Sequence, residues 1–451
     1  MSPAGPAASE RAWSLAVSAA RPLLPLAGLV SEKAARGVAE RRRAVARLER
    51  WAASGRDPDR PLLWLHGASA GELLGAVPAL EALRGRRELQ LVVTHFSPSG
   101  AAALPALAPD ASAPLPLDTL GETGRALDAL RPSALAFSKL DLWPVLTASA
   151  AVRGVPIGLV NGTVRPGSSR LAWPARRLLR HAYGRLGRAG AVSEEDAARL
   201  RELGVAEAAL VVTGDAAFDR AAERAREARR PGSAALRLRA ALPEALPVLL
   251  GGSTWAADET LLLAAAAALE EAGRPVSLVL VPHEPDRGAL ERVTAASRRL
   301  LDRTPVLWSE LEAGRASATS PVVVDAVGLL AGLYAAADVA YVGGGLGRGG
   351  LHSVVEPAAA GIPVAFGPRH ARREADELLE RGAALEVGPD TAAEVLARLL
   401  GDAGERERRG RAAAGYVEAE RGAADRSAAL LEALLSDGEG AGGGAAAAAR
   451  G

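Results

Sequence analysis

The chain of 451 residues has no cysteine. That excludes disulfides, thiolate nucleophiles and cysteine metal sites, and it is compatible with a reducing cytoplasm. Aromatic residues are scarce at 3%, so any core must be built from Ala, Leu and Val. The six histidines are scattered, without the four-residue spacing of a zinc helix, so no metal site is expected. Charge is almost balanced at a formal +1, which gives no global drive towards nucleic acid; any basic surface must be local. A clean membrane-spanning run is also missing. Trp13 to Val30 is mostly apolar but is interrupted by Arg21, Pro22 and Pro25, short of the ~20 residues a spanning helix needs.

That segment is followed by a basic stretch holding Lys33, Arg36, Arg41, Arg42, Arg43, Arg47 and Arg50. An apolar stretch followed by a cationic one reads as an interfacial anchor on an anionic leaflet. A helix pair packed on the first domain fits the same residues.

Hydrophobic residues make up 49%, enough for two cores of about 200 residues each. Short leucine- and valine-rich runs alternate with alanine-rich helical runs, in two blocks. The first block has strands in Leu62–Leu65, Leu89–Thr94, Ala134–Phe137, Ile157–Val160, Ala189–Val192 and Leu210–Thr213. The second has them in Pro247–Leu250, Val276–Val281, Val306–Trp308, Val322–Val324, Val339–Val342 and Pro363–Phe366. Two such series imply an α/β chain with two doubly wound, mostly parallel sheets. The expected division is an N-terminal helical segment over 1–55, a first domain over 56–220, a charged helical linker over 221–241, a second domain over 242–425, and a helix end with a disordered Gly/Ala tail over 426–451.

Two segments carry chemistry. After the strand ending at Val342 come six glycines between 343 and 350, then His352-Ser353-Val354-Val355-Glu356-Pro357. Gly343, Gly344, Gly345, Gly349 and Gly350 allow a backbone to approach a phosphate closely. A helix expected to start near His352 or Ser353 offers free amides to an anion, and Glu356 in its first turn can accept two ribose hydroxyls. The second segment, His66 to Glu72, follows a strand and opens a helix. Small residues at Ser69 and Gly71 leave room for a substrate, and Glu72 fits a general base for a hydroxyl. The spacing from Ser69 to Glu72 also satisfies a capping box.

With these residues in view, the chain resembles the family that transfers 3-deoxy-D-manno-octulosonic acid (Kdo) from CMP-Kdo to the lipid A precursor. The resemblance runs from about residue 60 to about residue 425. The family's Ser-x-Gly-Glu segment resembles Ser69–Glu72, its Thr-Pro-Thr-Gly resembles Ser97 to Gly100, and its Glu-Leu-Trp-Pro resembles Asp141 to Pro144. Its Gly-Ser-Thr turn matches Gly252-Ser253-Thr254, and its Gly-Gly-His-Asn-x-x-Glu-Pro-Ala resembles Gly350 to Ala358. The resemblance implies a GT-B fold, two Rossmann-like domains facing across a cleft, with Glu72 as the base. It implies that Ser253, Thr254, His283, the 343–350 loop, His352, Ser353 and Glu356 hold CMP. Ser69, Gly71, Ser97, Ser99, Lys139, Asp141, Trp143 and Asn161 fall on the acceptor side.

The chain departs from the family pattern at several of these positions. Lys139 stands where an acid is usual, His283 where an arginine is expected near the phosphate, Ala217 where a lysine is expected, and Ser353 in place of Asn. A lost arginine removes a bidentate contact, and Arg348 inside the glycine loop is a candidate replacement. His95 and His370 read as loop residues. The expected activity is metal-independent Kdo transfer in lipopolysaccharide biosynthesis, without a cofactor or nucleic acid, at the cytoplasmic face of the bacterial inner membrane with peripheral lipid contact. The departures keep two other readings open: a transferase for another sugar or acceptor, and a non-catalytic paralogue that binds nucleotide or lipid.

Overall fold

The computed structural model describes residues 5–22, 32–314, 320–347 and 349–448. The chain divides into two compact units, one of 1–216 with 422–451 and one of 217–421.

The first unit is built on seven parallel strands: β1 (Leu62–Gly67), β2 (Gln90–His95), β3 (Ala111–Pro114), β4 (Ala134–Ser138), β5 (Ile157–Gly162), β6 (Arg188–Ala191) and β7 (Leu210–Val212). Their order is β3-β2-β1-β4-β5-β6-β7. Leu62 and Trp64 face one core with Val92, Leu135 and Phe137. Leu63 and Leu65 face the other with Leu91, Val93 and Ala136. Burial on both faces is why these strands read as continuous apolar runs and not as alternating ones.

The second core of this unit is completed from far along the chain. The Ala423–Ala448 helix lays Ala428, Leu430, Leu431, Leu434 and Leu435 against Leu63, Leu65 and Val160. Arg86, Arg87 and Arg188 pair with Asp425, Glu432, Glu439 and Asp437 along its flanks. Gly438 lies so close to the Ser133 carbonyl that no Cβ fits there. The stretch expected to be a disordered Gly/Ala tail is instead helical as far as Ala448. An anchored leucine stripe and the high helix propensity of alanine carry the helix past its glycines.

At the other end, the Ala8–Ala20 helix docks on the same unit. The Trp13 indole donates to Asp118 at 3.0 Å, and buried Glu10 pairs with Arg185. This described half of the apolar N-terminal segment is therefore a packed helix, and its remainder, 23–30, lies outside the described residues.

The second unit repeats the plan with β8 (Val248–Thr254), β9 (Ser277–Pro282), β10 (Val306–Leu307), β11 (Val322–Val323), β12 (Val339–Val342), β13 (Val364–Phe366) and β14 (Ala384–Glu386). The order is β10-β11-β9-β8-β12-β13-β14. Its β8 runs through Gly251-Gly252-Ser253-Thr254, where a turn was expected. The stretch expected as a linker forms two helices of this unit, Ala217–Glu227 and Ala234–Ala241. Phe218 and Ala221 of the first pack with Val354 and Ala358, and Leu238 of the second packs under β8. The chain thus passes between units at 216/217 and again at 421/422.

Candidate functional site

In each sheet one strand lies where the winding reverses. β1 sits between β2 and β4, and β8 sits between β9 and β12. Loops leaving parallel strands on either side of such a point diverge and open a crevice at the carboxyl edge. The two sequence motifs occupy these two places. Residues 68–72 follow β1 and residues 139–143 follow β4; residue 255 follows β8 and residues 343–350 follow β12.

In the first unit, the helix Ala70–Arg84 starts with Glu72 in its first turn. The Ala68 N–H donates to Glu72 Oε2 at 2.6 Å, and the Ser97 N–H donates to the Ala68 carbonyl at 2.7 Å. The Ser138 hydroxyl donates to the Glu72 carbonyl at 2.7 Å, tying the helix start to the end of β4. The expected capping box is not made. Ser69 occupies the cap position but its hydroxyl makes no cap bond, and Glu72 reaches past the Ser69 amide to that of Ala68. A Cβ on Gly71 would meet nothing within 4 Å, so the space beside Glu72 is open. Ser97 Oγ accepts from the Ser99 amide and lies 2.9 Å from Ser99 Oγ.

A charged network lies along the ends of β1 and β4. The Thr94 hydroxyl accepts from Trp64 Nε1 at 2.9 Å and lies 3.0 Å from His66 Nδ1. His66 Nε2 is 3.6 Å from Asp141 Oδ2, and Arg170 lies 3.2 Å from Asp141 Oδ1. The Trp143 indole donates to the same carboxylate at 3.2 Å. Burial opposes ionisation of Asp141, but His66, Arg170 and Trp143 together outweigh it and hold its carboxyl below the usual range. Trp143 stacks on Phe96 with centroids 5.2 Å apart, and the Arg41 guanidinium lies 3.9 Å from the Phe96 ring centre. Burial lowers the Arg41 pKa, against the opposing pull of Asp141. Lys139 is held in the left-handed region at φ 65°, its N–H bound to the Val160 carbonyl. Asn161, expected on the acceptor side, is also left-handed and is buried, with neither amide atom hydrogen-bonded. His95, expected in a loop, ends strand β2.

In the second unit, the glycine loop is fastened by a residue the sequence reading missed. Buried Asp258 accepts from the Trp255 and Gly344 amides, both at 3.0 Å, and from the Tyr341 hydroxyl at 2.9 Å. Close approach here is largely within the protein. A Cβ on Gly343 would collide with the Ser253 carbonyl, and one on Gly344, at φ 94°, with the Gly350 carbonyl. Gly345 packs equally tightly on Gly367, while a Cβ on Gly350 would meet nothing. The open part of the loop is thus its second half. The following helix begins at Val355, not at His352 or Ser353, and spans only Val355–Ala360. Glu356 is half-buried in its first turn, and Ser353 Oγ accepts from the Val355 amide at 3.4 Å. Thr254 is buried while Ser253 is half-exposed at φ 51°, so of these two hydroxyls only that of Ser253 is open to solvent.

Three rings gather at the end of β8. His283 and His352 stack with centroids 4.2 Å apart, and Trp255 lies 4.9 Å from His283. The Trp255 indole N–H donates to His352 Nε2 at 3.0 Å. Burial, then the charges of His283 and Arg372, push the His352 pKa down, with Asp258 opposing. Arg348 lies outside the described residues. The cation observed near this site is Arg372, whose Nε donates to the Leu351 carbonyl at 2.6 Å. Its signal in the sequence was the basic run Arg369-His370-Ala371-Arg372-Arg373, separated by two residues from β13. His370 in that run lies between Asp376 and Glu386. Among the described residues no group of three or more His, Asp or Glu is placed to hold a metal ion.

These features can be set beside known proteins. Residues 38–220 match the family model described as 3-deoxy-D-manno-octulosonic-acid transferase (kdotransferase). A 3-deoxy-D-manno-octulosonic acid transferase of Bordetella pertussis is 32% identical over 411 residues, covering 87% of this chain and 92% of that protein. One from Chlamydophila psittaci is 29% identical, covering 81% and 84%. Among solved structures, a UDP-GlcNAc 2-epimerase from Neisseria meningitidis bound to UDP-GlcNAc aligns with a TM-score of 0.57 at 14% identity, covering 83% of this chain and 100% of that one. A glycosyltransferase from Rickettsia africae aligns at 0.54 and 11% identity, covering 84% and 99%. Likeness at such low identity speaks for the fold alone, and it is that of a two-domain GT-B protein. Extended identity to the Bordetella protein goes further: this chain belongs to the 3-deoxy-D-manno-octulosonic acid transferase family.

Proposed function

We propose that this glycosyltransferase moves Kdo from CMP-Kdo to a hydroxyl of the lipid A precursor, with Glu72 as general base. The observation that carries the assignment is the setting of Glu72. One carboxylate oxygen is fixed by the Ala68 amide, and the helix start beside it at Gly71 is open. A carboxylate so oriented can take the acceptor proton as the acceptor oxygen bonds to the anomeric carbon. The bond from that carbon to the CMP phosphate then breaks, and its electron pair leaves with CMP. In the second unit, Ser253, His283, His352, Ser353, Glu356, the open glycines and Arg372 are the groups proposed to hold CMP. The hydroxyls, imidazoles and guanidinium are donors for an anionic leaving group, Glu356 is an acceptor for ribose hydroxyls, and the proposed step needs no metal.

Contact with the cytoplasmic face of the inner membrane is part of the proposal. Among the described residues no helix is long and apolar enough to cross a membrane. A surface fit for lipid headgroups is present in the first unit. Trp173 is 78% exposed beside the Ala175–Gly184 helix, which displays Arg176, Arg177 and Arg180 to solvent. An amphipathic indole next to cations is the pattern of an interfacial contact.

The test is Glu72→Gln. The amide oxygen can still accept from Ala68, so the loop is retained, but the side chain no longer takes a proton. Turnover of CMP-Kdo and lipid precursor is expected to fall about a hundred-fold or more, while CMP-Kdo binding by calorimetry persists. Undiminished turnover overturns the base assignment. Absence of CMP-Kdo binding in the unaltered protein, with binding of another nucleotide sugar, would favour a different donor; His283 in the arginine position is the observation behind that second reading.

A further inference from the structure

The three-ring stack at the end of β8 has a consequence for hydrogen placement. An indole nitrogen can only donate. The Trp255 Nε1 lies 3.0 Å from His352 Nε2, so Nε2 must carry a lone pair. A neutral imidazole has one N–H, which then resides on Nδ1. This is the less populated tautomer of free histidine, so something in the protein must select it. We propose that Trp255 is a positioning residue of the donor site: its indole sets His352 as a neutral Nδ1–H donor and locks that ring in a stack with His283.

Every element packed around His352 bears on this choice. His283 lies face to face with it at 4.2 Å and 25°, so two imidazolium rings would repel. Arg372, from the segment after β13, disfavours a cation further, and Asp258, from the helix after β8, opposes that effect. The Asp258 oxygens are already engaged by two amides and the Tyr341 hydroxyl. The backbone adds its own constraint, since the His352 amide donates to the Gly343 carbonyl. For a ring fixed at its backbone, one face and Nε2, the remaining polar atom is the Nδ1–H, which no described residue engages. That atom suits an oxygen of an anionic nucleotide. A neutral donor keeps its strength across the pH range in which an unconstrained histidine would titrate.

The inference rests on the donor-site reading, and the test separates the two. The full chain is labelled with ¹⁵N-histidine, and His352 is assigned by loss of its signals in His352→Gln. Long-range ¹H–¹⁵N correlation without ligand is expected to show Nδ1 protonated and Nε2 bare from about pH 6 to 8. In Trp255→Phe, which keeps a stacking ring, the balance should move towards Nε2–H. The His352 titration midpoint should also rise, since a hydrogen bond favouring the neutral form is gone. The KM for CMP-Kdo, nearly flat with pH in the unaltered protein, should rise about five-fold and become pH-dependent in the variant, with kcat changed less. A wild-type His352 protonated on Nε2 overturns the proposal, as does a Trp255→Phe spectrum and KM profile identical to wild type. If calorimetry finds that the unaltered protein does not bind CMP, the donor-site reading falls and takes the positioning role with it. The ligand-free spectrum tells that failure apart from a wrong tautomer.

Discussion

The two switch points use the same topological address for opposite electrostatics. After β1 and β4, the first unit displays carboxylates, Glu72 and Asp141, with His66, Arg170 and Arg41 arranged around them. After β8 and β12, the second unit tucks its acid inside. Asp258 is buried and consumed by the loop it holds, and around it stand stacked rings, hydroxyls and Arg372, with Glu356 half-buried. Glu72, half-buried and held by a single amide, can accept a proton, whereas Asp258, satisfied by three donors, can only hold a shape. On the proposed function, the placement of acid separates the group that would activate a hydroxyl from the groups that would receive an anion.

The largest test of that contrast is removal of the hidden acid. Asp258→Ala leaves the Trp255 amide, the Gly344 amide and the Tyr341 hydroxyl without their acceptor. Stranded buried donors cost about 1–3 kcal/mol each, so the second unit should lose at least ~3 kcal/mol in denaturant unfolding, and nucleotide binding with it. If only the switch-point loop depends on Asp258, hydrogen exchange in β1 and β2 of the first unit should be unaltered. Equal loosening of both units would break the contrast.

A smaller effect is expected from a buried acid of the first unit. Burial raises the Asp118 carboxyl to about 6 from 3.8, against the Val145 and Leu146 amides and the Trp13 indole, with Glu10 adding to the rise. A carboxyl whose folded pKa is raised binds its proton more tightly in the folded state. Its contribution is full below about pH 4 and is lost as pH rises through 6, on the order of 3 kcal/mol. Unfolding free energies from pH 4 to 7.5, compared between wild type and Asp118→Asn, should show this loss only in the wild type. A difference that grows the other way would reverse the assignment. The smallest effect concerns the aromatic rim. Phe96→Ala removes the stack on Trp143 and the Arg41 contact, for about 1 kcal/mol. It should raise KM for the lipid acceptor and leave CMP binding untouched.

Much of this was legible in the sequence where one interaction type dominates. Strands covered on both faces announce themselves as apolar runs, and twelve of the expected strands coincide with strands of the two sheets. Ala111–Pro114 and Ala384–Glu386 escaped because they are short edge strands lacking β-branched residues. The motifs around Glu72 and the glycine loop were visible because special backbone needs leave special residues. Asp258 and Arg372 were not, since nothing in a lone acid on a helix or a basic run after a strand reveals which loop it will reach. The helix after 422 was assigned no partner for a similar reason: a leucine stripe states that it must be buried, not where.

The return of that helix to the first unit has a bearing on synthesis. The whole of 217–421 leaves the ribosome before Leu430, Leu431, Leu434 and Leu435 can cover Leu63 and Leu65. The nascent first sheet must therefore wait with part of one apolar face uncovered while the second unit is made. A chaperone that shields that face during translation, or a stop codon a few dozen residues early, would decide the fate of the amino-terminal half through residues it meets last.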